Sequence, residues 1–454
     1  MALHQYDWIL ALGTIFAFLD AWNIGANDVA NSWATSVSSR SVKYWQAMVL
    51  ATIMEFAGGI GVGATVADTI RTKVVDVDQF AENPALLMLG MLCALVGSST
   101  YLTFATRIGL PVSTTHSIMG GVIGMGVALV GADGVIWWGG DINSGVVQVF
   151  LAWVIAPFIS AAFASIIFLF TKYAILLRNK PAMKALYTIP FYFFVTCTLL
   201  AMLIVWKGGS SRIKLNGGEI AGTVVGTGAV MGVLAAFFLV PWLYRRVILD
   251  DWQIKPWHLL LGPLVLRRGE VPPHPSGTHT VQNYYRGHKT LEQIQAERAA
   301  GNDVETADKS KLGIGSSADA SPEIEPKPDP RLAASPEPEE SDAVNITGPR
   351  PEGKGKFHPA VLFWQAKRFF FRGIEQDVVS MQKKRNILSG DLEMVHANAE
   401  HFENRAEYMF SFLQVLTAST ASFAHGANDL SKYAPALIYP THPVLPALTF
   451  LCVC

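Results

Sequence analysis

Residues 8–36 read WILALGTIFAFLDAWNIGANDVANSWATS. An apolar stretch of that length exceeds the ~20 residues of helix that cross a hydrocarbon core, which predicts a membrane-spanning helix. Within it Asp20, Asn23, Asn27 and Asn31 recur every three or four residues and line one helical face, with Asp28 beside them. Acid and amide groups at that depth cost roughly several kcal/mol each to bury unless a partner, an ion or a water-filled path meets them. Asparagines bonding across a helix interface are the simpler reading, but an Asp among three Asn is harder to accommodate that way. Gly25 and Ala26 permit either local unwinding or close approach of a second helix just before Asn27 and Asp28. Unwound carbonyls, amide oxygens and a carboxylate together predict a hard-oxygen site for an alkali cation.

The rest of the chain has the same character. Of its 454 residues 51% are hydrophobic and 16% charged, and the charges gather in one central stretch. Elsewhere the sequence is too apolar for a soluble globular domain. Apolar segments follow at about 44–70, 85–106, 113–131, 146–175, 186–206 and 219–244, and an eighth begins near Tyr408. The pattern predicts an all-α polytopic membrane protein. Pro111 just before the fourth segment, with the Ser/Thr cluster and Gly120, Gly121, Gly124 and Gly126 within it, predicts a re-entrant or broken helix, which is tolerated only inside protein or along a cavity. A formal net charge of -1 gives a nucleic-acid partner no electrostatic support. Cys93, Cys197, Cys452 and Cys454 lack the spacing of a metal or redox site and read as packing residues. No basic stretch precedes the first apolar segment, so it is expected to be retained rather than cleaved as a signal peptide.

Three regions follow: a first transmembrane block at 1–247, a hydrophilic loop at 248–404, and the start of a second block at 405–454. The middle of the loop, about 302–356, is rich in Pro, Glu, Asp, Ser and Gly and lacks aromatics, which predicts disorder. Lys289 to Ala300 has helical composition. The run Phe363, Trp364, Lys367, Arg368, Phe369, Phe370, Phe371, Arg372 suits a helix lying in a membrane interface, or an amphipathic helix packed on the end of the bundle. Arg40, Lys43, Arg107, Lys172, Arg178, Lys180, Lys184, Arg245 and Arg246 fall on one side of the membrane, against Arg71, Lys73, Lys207, Arg212 and Lys214 on the other. The positive-inside rule then predicts an outside N-terminus and a cytoplasmic loop.

The tetrapeptide at Gly25–Asp28 returns at Gly426, Ala427, Asn428 and Asp429, again near the end of an apolar stretch. The first copy's helix enters from outside and the second's from the cytoplasm, the arrangement of inverted repeats that put substrate and coupling ions near the midplane. In GLPVSTTHS, residues 109–117, Pro111 stops an upstream helix and Ser113, Thr114, Thr115 and Ser117 open the next. Free N–H groups at a helix start, with hydroxyl donors, form an anion cradle that suits phosphate; simple N-capping is the competing reading. His116 alone reads as a structural histidine. Glu55, followed by Gly58, Gly59, Gly61 and Gly63, is a buried acid that needs a cation, a proton or a hydrogen bond across a tight helix interface.

GANDVANS at Gly25–Ser32 together with GLPVSTTH at Gly109–His116 resembles the inorganic phosphate transporter (PiT) family, and the loop exit beginning GIEQDVVSMQKKRN resembles its fungal sodium/phosphate symporters. The resemblance implies two inverted repeats with paired helical hairpins, and sodium or protons driving phosphate uptake. It implies that Ser113, Thr114, Thr115, Asn27 and Asn31 bind phosphate, and that Asp28, Asn23, Glu55, Asn428 and Asp429 serve sodium. No catalysis, no cofactor and no metal beyond sodium is expected; phosphate, sodium and membrane lipid are the partners, with a homodimer a further expectation. Plasma membrane is the location implied by the fungal resemblance.

After Asp429 the family pattern stops: Lys432 falls where the first copy has Asn31, Pro440, Pro443 and Pro446 follow, and no second PVSTTH run exists in the sequence. The second repeat therefore reads as incomplete, with a truncated or mis-spliced frame as the expected cause. A non-transporting regulatory partner of a full-length transporter is the rival reading of another class. Carriers of another oxyanion, or carriers coupled to protons, are the nearer rivals. An intramembrane hydrolase is disfavoured, because Ser, His and Asp fall on separate elements without a nucleophile motif.

Overall fold

The computed structural model of the chain describes residues 4–72, 74–139, 145–205, 216–273, 280–281, 283–285, 290–299, 346–351, 353, 355, 357–371 and 392–429. Most of the stretch expected to be disordered, and everything after Asp429, including Lys432 and the prolines beyond it, lie outside the described residues. Two compact units form, one from residues 1–282 with 402–454 and one from residues 283–401.

The first unit is helical. Its elements are α1 (Asp7–Ser38), α2 (Tyr44–Thr72), α3 (Pro84–Ile108), α4 (Thr114–Val130), α5 (Val146–Phe170), α6 (Pro181–Leu203) and α7 (Gly217–Leu234). Helical turns continue α5 to Leu176 and α7 to Ile248, and the last helix of this unit, Asn404–Asn428, is α11. Among the described residues six helices are long and apolar enough to cross a membrane: α1, α2 up to Val62, α3, α6, and α5 and α7 with their extensions. The fourth apolar segment gives the shorter α4, about 25 Å long at 1.5 Å per residue, which falls short of the ~30 Å hydrocarbon core.

Local chemistry explains the boundaries. Gly109 ends α3 in the left-handed conformation, at a φ of 75°, a position glycine takes without a Cβ penalty. Pro111 lacks the N–H that would continue α3, and Ser113, itself extended, then caps α4 by accepting a hydrogen bond from the His116 N–H at 3.4 Å. At α7, Asn216 and Glu219 form a reciprocal capping box, each side chain accepting from the other's backbone N–H. Wider helical turns at Ala235–Leu239 precede Pro241, whose ring removes a donor and crowds the preceding turn.

Two large apolar clusters, and a small one of Val62, Phe423 and Ala427 between α2 and α11, organise the unit. Ala17, Ile24, Leu95, Leu102, Ile118 and Val122 join α1, α3 and α4. Leu186, Ile189, Trp242, Leu243, Met409 and Leu413 join α6, α7 and α11. Helix α11 packs on α2, α6 and α1 and so ties the two clusters together. Residues just past 248, assigned from sequence to the hydrophilic loop, fold back on this unit, since Ile254 and Val265 are buried in the second cluster. Buried Arg245 holds them by donating to Asp251 Oδ2 at 2.8 Å and to the carbonyls of Arg268 and Gly269. A guanidinium that meets a carboxylate and two backbone carbonyls is one of the few ways to bury that charge.

The second unit contains α8 (Leu291–Ala299), α9 (Pro359–Phe371) and α10 (Leu392–Asn398), with α8 and α10 in contact. Helix α8 bears out the helical reading of Lys289 to Ala300.

Candidate functional site

Helix α1 runs unbroken through Gly25, and a Cβ built on Gly25 meets nothing within 4 Å. Neither local unwinding nor close approach occurs there, which corrects the reading of the first GAND glycine. The reason is that α1's own ladder is satisfied and its neighbours approach on the Asn face. The close approach belongs to the second copy, where a Cβ on Gly426 would collide with the backbone carbonyl of Glu55, and one on Gly58 with that of Phe423. Helices α2 and α11 thus cross backbone to backbone through two glycines, as small residues allow. The tight packing expected around Glu55 holds at Gly58.

That crossing sets His425 among three carboxylates. Its Nδ1 lies 2.6 Å from Glu55 Oε2, its Nε2 2.8 Å from Asp28 Oδ2, and the same Nε2 3.5 Å from Asp429 Oδ2. Glu55 is 2% exposed and Asp28 9%. An imidazole that donates to both Glu55 and Asp28 carries both ring protons and one positive charge. One such charge facing three carboxylates leaves an excess of negative charge, which at membrane depth is costly unless cations join it. One ligand atom from each of Asp28, His425 and Asp429 can be chosen so that all lie within 4.8 Å of one another.

The anion cradle adjoins this cluster. Thr114 Oγ1 donates to Asp429 Oδ1 at 2.6 Å and Thr115 Oγ1 to the same atom at 3.1 Å. A carboxylate oxygen, an anion in its own right, therefore engages two hydroxyls at the start of α4. Two sequence motifs meet across more than 300 residues, with Asp429 of the second GAND copy seated on the hydroxyl run that follows Pro111.

The asparagines differ in the partners they hold. Asn27 Nδ2 donates to Leu110 O at 2.9 Å and Thr106 Oγ1 at 3.3 Å, while its Oδ1 accepts from the Val112 N–H at 3.2 Å. It therefore pins the extended linker that presents α4. Asn23 donates to Thr103 Oγ1 at 2.7 Å, the interhelical bond that the simpler reading expects. Asn31 is exposed and among the described residues donates to Asn27 Oδ1 at 3.4 Å. Asn428 donates to Ala424 O of its own helix at 2.8 Å, and Ser113 serves as the N-cap. The cluster thus gathers Asp28, Glu55, Asp429, Thr114 and Thr115, with Asn27 behind the linker, and leaves Asn23, Asn31, Asn428 and Ser113 engaged elsewhere or exposed.

Sequence reasoning missed His425. The available signal was a comparison of the two copies, because His425 precedes the second GAND where Ile24 precedes the first. An ionisable group at membrane depth is a functional candidate by default. It also missed Thr103 and Thr106, ordinary helix residues until α1 packs beside them.

Comparison with known proteins gives one family and several relatives. The model of the "Phosphate transporter family" matches residues 24–444, running past Asp429. The chain is 58% identical to the "Phosphate-repressible phosphate permease pho-4" of Neurospora crassa over 95% of its own length and 75% of that protein's. It is 33% identical to the mouse "Sodium-dependent phosphate transporter 1", covering 54% of this chain and 35% of the mouse protein. A solved structure titled "The sodium-dependent phosphate transporter" aligns at 21% identity and a TM-score of 0.48, covering 94% of this chain and 88% of that one.

Proposed function

The chain belongs to the phosphate transporter family, whose members are transporters rather than enzymes, and from that premise we propose that it carries inorganic phosphate into the cell by coupling it to sodium entry. The observation that supports this reading best is the junction at Asp429, where the hydroxyls of Thr114 and Thr115 meet the carboxylates that converge on His425. The hydroxyls and the N-terminus of α4 suit a phosphate. The adjoining carboxylates carry surplus negative charge and offer the oxygen ligands that a hard cation takes. Sodium bound beside Asp28 and Asp429 would offset that surplus and release Asp429 from the cradle for phosphate to replace. Each ion then lowers the penalty for binding the other.

Energetics favour such coupling. Moving a monoanion inward against an inside-negative potential costs about 2.3 kcal/mol per 100 mV, and two or more sodium ions moving with it reverse the sign. Alternating access would come from inverted repeats, with the GAND copies as counterparts, the N-terminus outside and the loop cytoplasmic at the plasma membrane. Measured in proteoliposomes made with this chain, phosphate affinity is expected to rise with external sodium. Saturation curves unchanged when choline replaces sodium would reject sodium coupling. His425 favours one second reading, coupling to protons, because a protonatable group already stands among the same carboxylates. Choline-insensitive uptake that follows an imposed proton gradient would select it, and no uptake at all would favour the non-transporting partner.

Asn27→Ala removes the clamps on Leu110 and Val112. Losing them costs about 1–3 kcal/mol, of which a share falls on presentation of the cradle. The KM for phosphate is expected to rise roughly tenfold, since about 1.4 kcal/mol is a factor of ten. An unchanged KM would detach the linker from phosphate binding.

A further inference from the structure

We propose that the outward face of α9 docks on the anionic lipid surface of the membrane that this chain spans. Helix α9 carries two apolar stripes. Val361, fully buried, and Trp364, half-buried, hold one stripe on the second unit, and the Trp364 indole N–H donates to Gly348 O at 3.1 Å. The other stripe, Leu362, Phe363, Ala366 and Phe369, recurs at three- and four-residue spacing on the opposite side and is open. Phe363 is 72% exposed and Phe369 81%, and Phe357 just before the helix is 88% exposed. Aromatic side chains so placed in water forgo most of the burial that makes them favourable.

Charge selects the occupant. Lys367 lies along one edge of the open stripe, while Arg368, exposed and stacked 5.3 Å over the Trp364 ring, lies toward the inward stripe. The described helix carries no acid, so its field favours anionic headgroups while the phenylalanines enter the acyl boundary. The tether supplies the rest. Both ends of the second unit continue into the helical unit, at residues 282–283 and 401–402. Chain connectivity therefore keeps α9 at a high effective concentration near a bilayer, and a weak interfacial helix suffices.

The test uses the full chain in nanodiscs, with its native cysteines replaced by Ala and a nitroxide on Phe363→Cys, Phe369→Cys or, at the polar edge, Gln365→Cys. Monodisperse elution and an unchanged thermal unfolding midpoint show that each labelled protein is intact. With phosphatidylserine mixed into phosphatidylcholine, labels at 363 and 369 are expected to be oxygen-accessible and shielded from a water-soluble nickel relaxant, with 365 shallower. That shielding is expected to be lost in phosphatidylcholine alone and in the Lys367→Glu/Arg368→Glu double variant. Labels at 363 and 369 that stay water-accessible in every lipid would overturn the proposal. Shielding from both probes that persists in detergent without lipid would overturn it too, and would assign the face to protein.

Discussion

Asp28→Asn is expected to abolish sodium-coupled phosphate uptake while leaving the chain inserted in the membrane. The substitution preserves shape, and the amide oxygen can still accept from His425 Nε2 across the 2.8 Å that separates it from Asp28 Oδ2. What disappears is one of the three carboxylates gathered on the imidazole. A unit charge is worth about 4 kcal/mol to a cation 4 Å away at an effective dielectric of 20, on the order of a thousandfold in cation affinity. Radiolabelled phosphate uptake, normalised to inserted protein, measures the loss. Wild-type uptake by a correctly inserted variant would reduce Asp28 to a structural partner of His425.

Gly426→Ala and Gly25→Ala are expected to part company, although both change the first residue of a GAND copy. A methyl at Gly426 collides with the Glu55 carbonyl, which cannot turn aside as a side chain would, so α2 and α11 must separate. Overpacking of this kind costs typically about 1–3 kcal/mol, and backbone contact places it at the upper end. Separation would also draw His425 away from Glu55, so uptake should fall with stability. At Gly25 the methyl enters open space within a regular helix, where Ala is favoured over Gly by up to about 1 kcal/mol. Thermal unfolding in detergent separates the cases, with Gly426→Ala melting well below wild type and Gly25→Ala no lower. Equal melting temperatures would remove the glycine crossing as the element that assembles the site.

Helix existence was legible because it depends on local patterning. The expected 8–36 segment is α1 at Asp7–Ser38, and the break at Pro111 is the linker before α4 at Thr114–Val130. Candidate chemistry was half legible. An acid or amide at membrane depth announces itself through the cost of burying it, which brought Asp28, Glu55 and Asp429 forward. The same argument could not separate Asn23 and Asn428, engaged with Thr103 and with their own helix, from Asn27, which holds the linker. A polar side chain looks equally costly in sequence whichever neighbour satisfies it.

The amino-acid sequence by itself determined an all-helical membrane chain, the places where helices stop, the two GAND copies and the hydroxyl run, because hydropathy, proline, glycine and capping act within a few residues. Only the tertiary structure decided that His425 stands between Glu55 and Asp28, and that Asp429 occupies the hydroxyls of Thr114 and Thr115. Those contacts join residues more than 300 positions apart, and they exist because two glycines let α2 and α11 approach until their backbones touch. Which helices may come that close is a property of the packed bundle, and no local pattern encodes it.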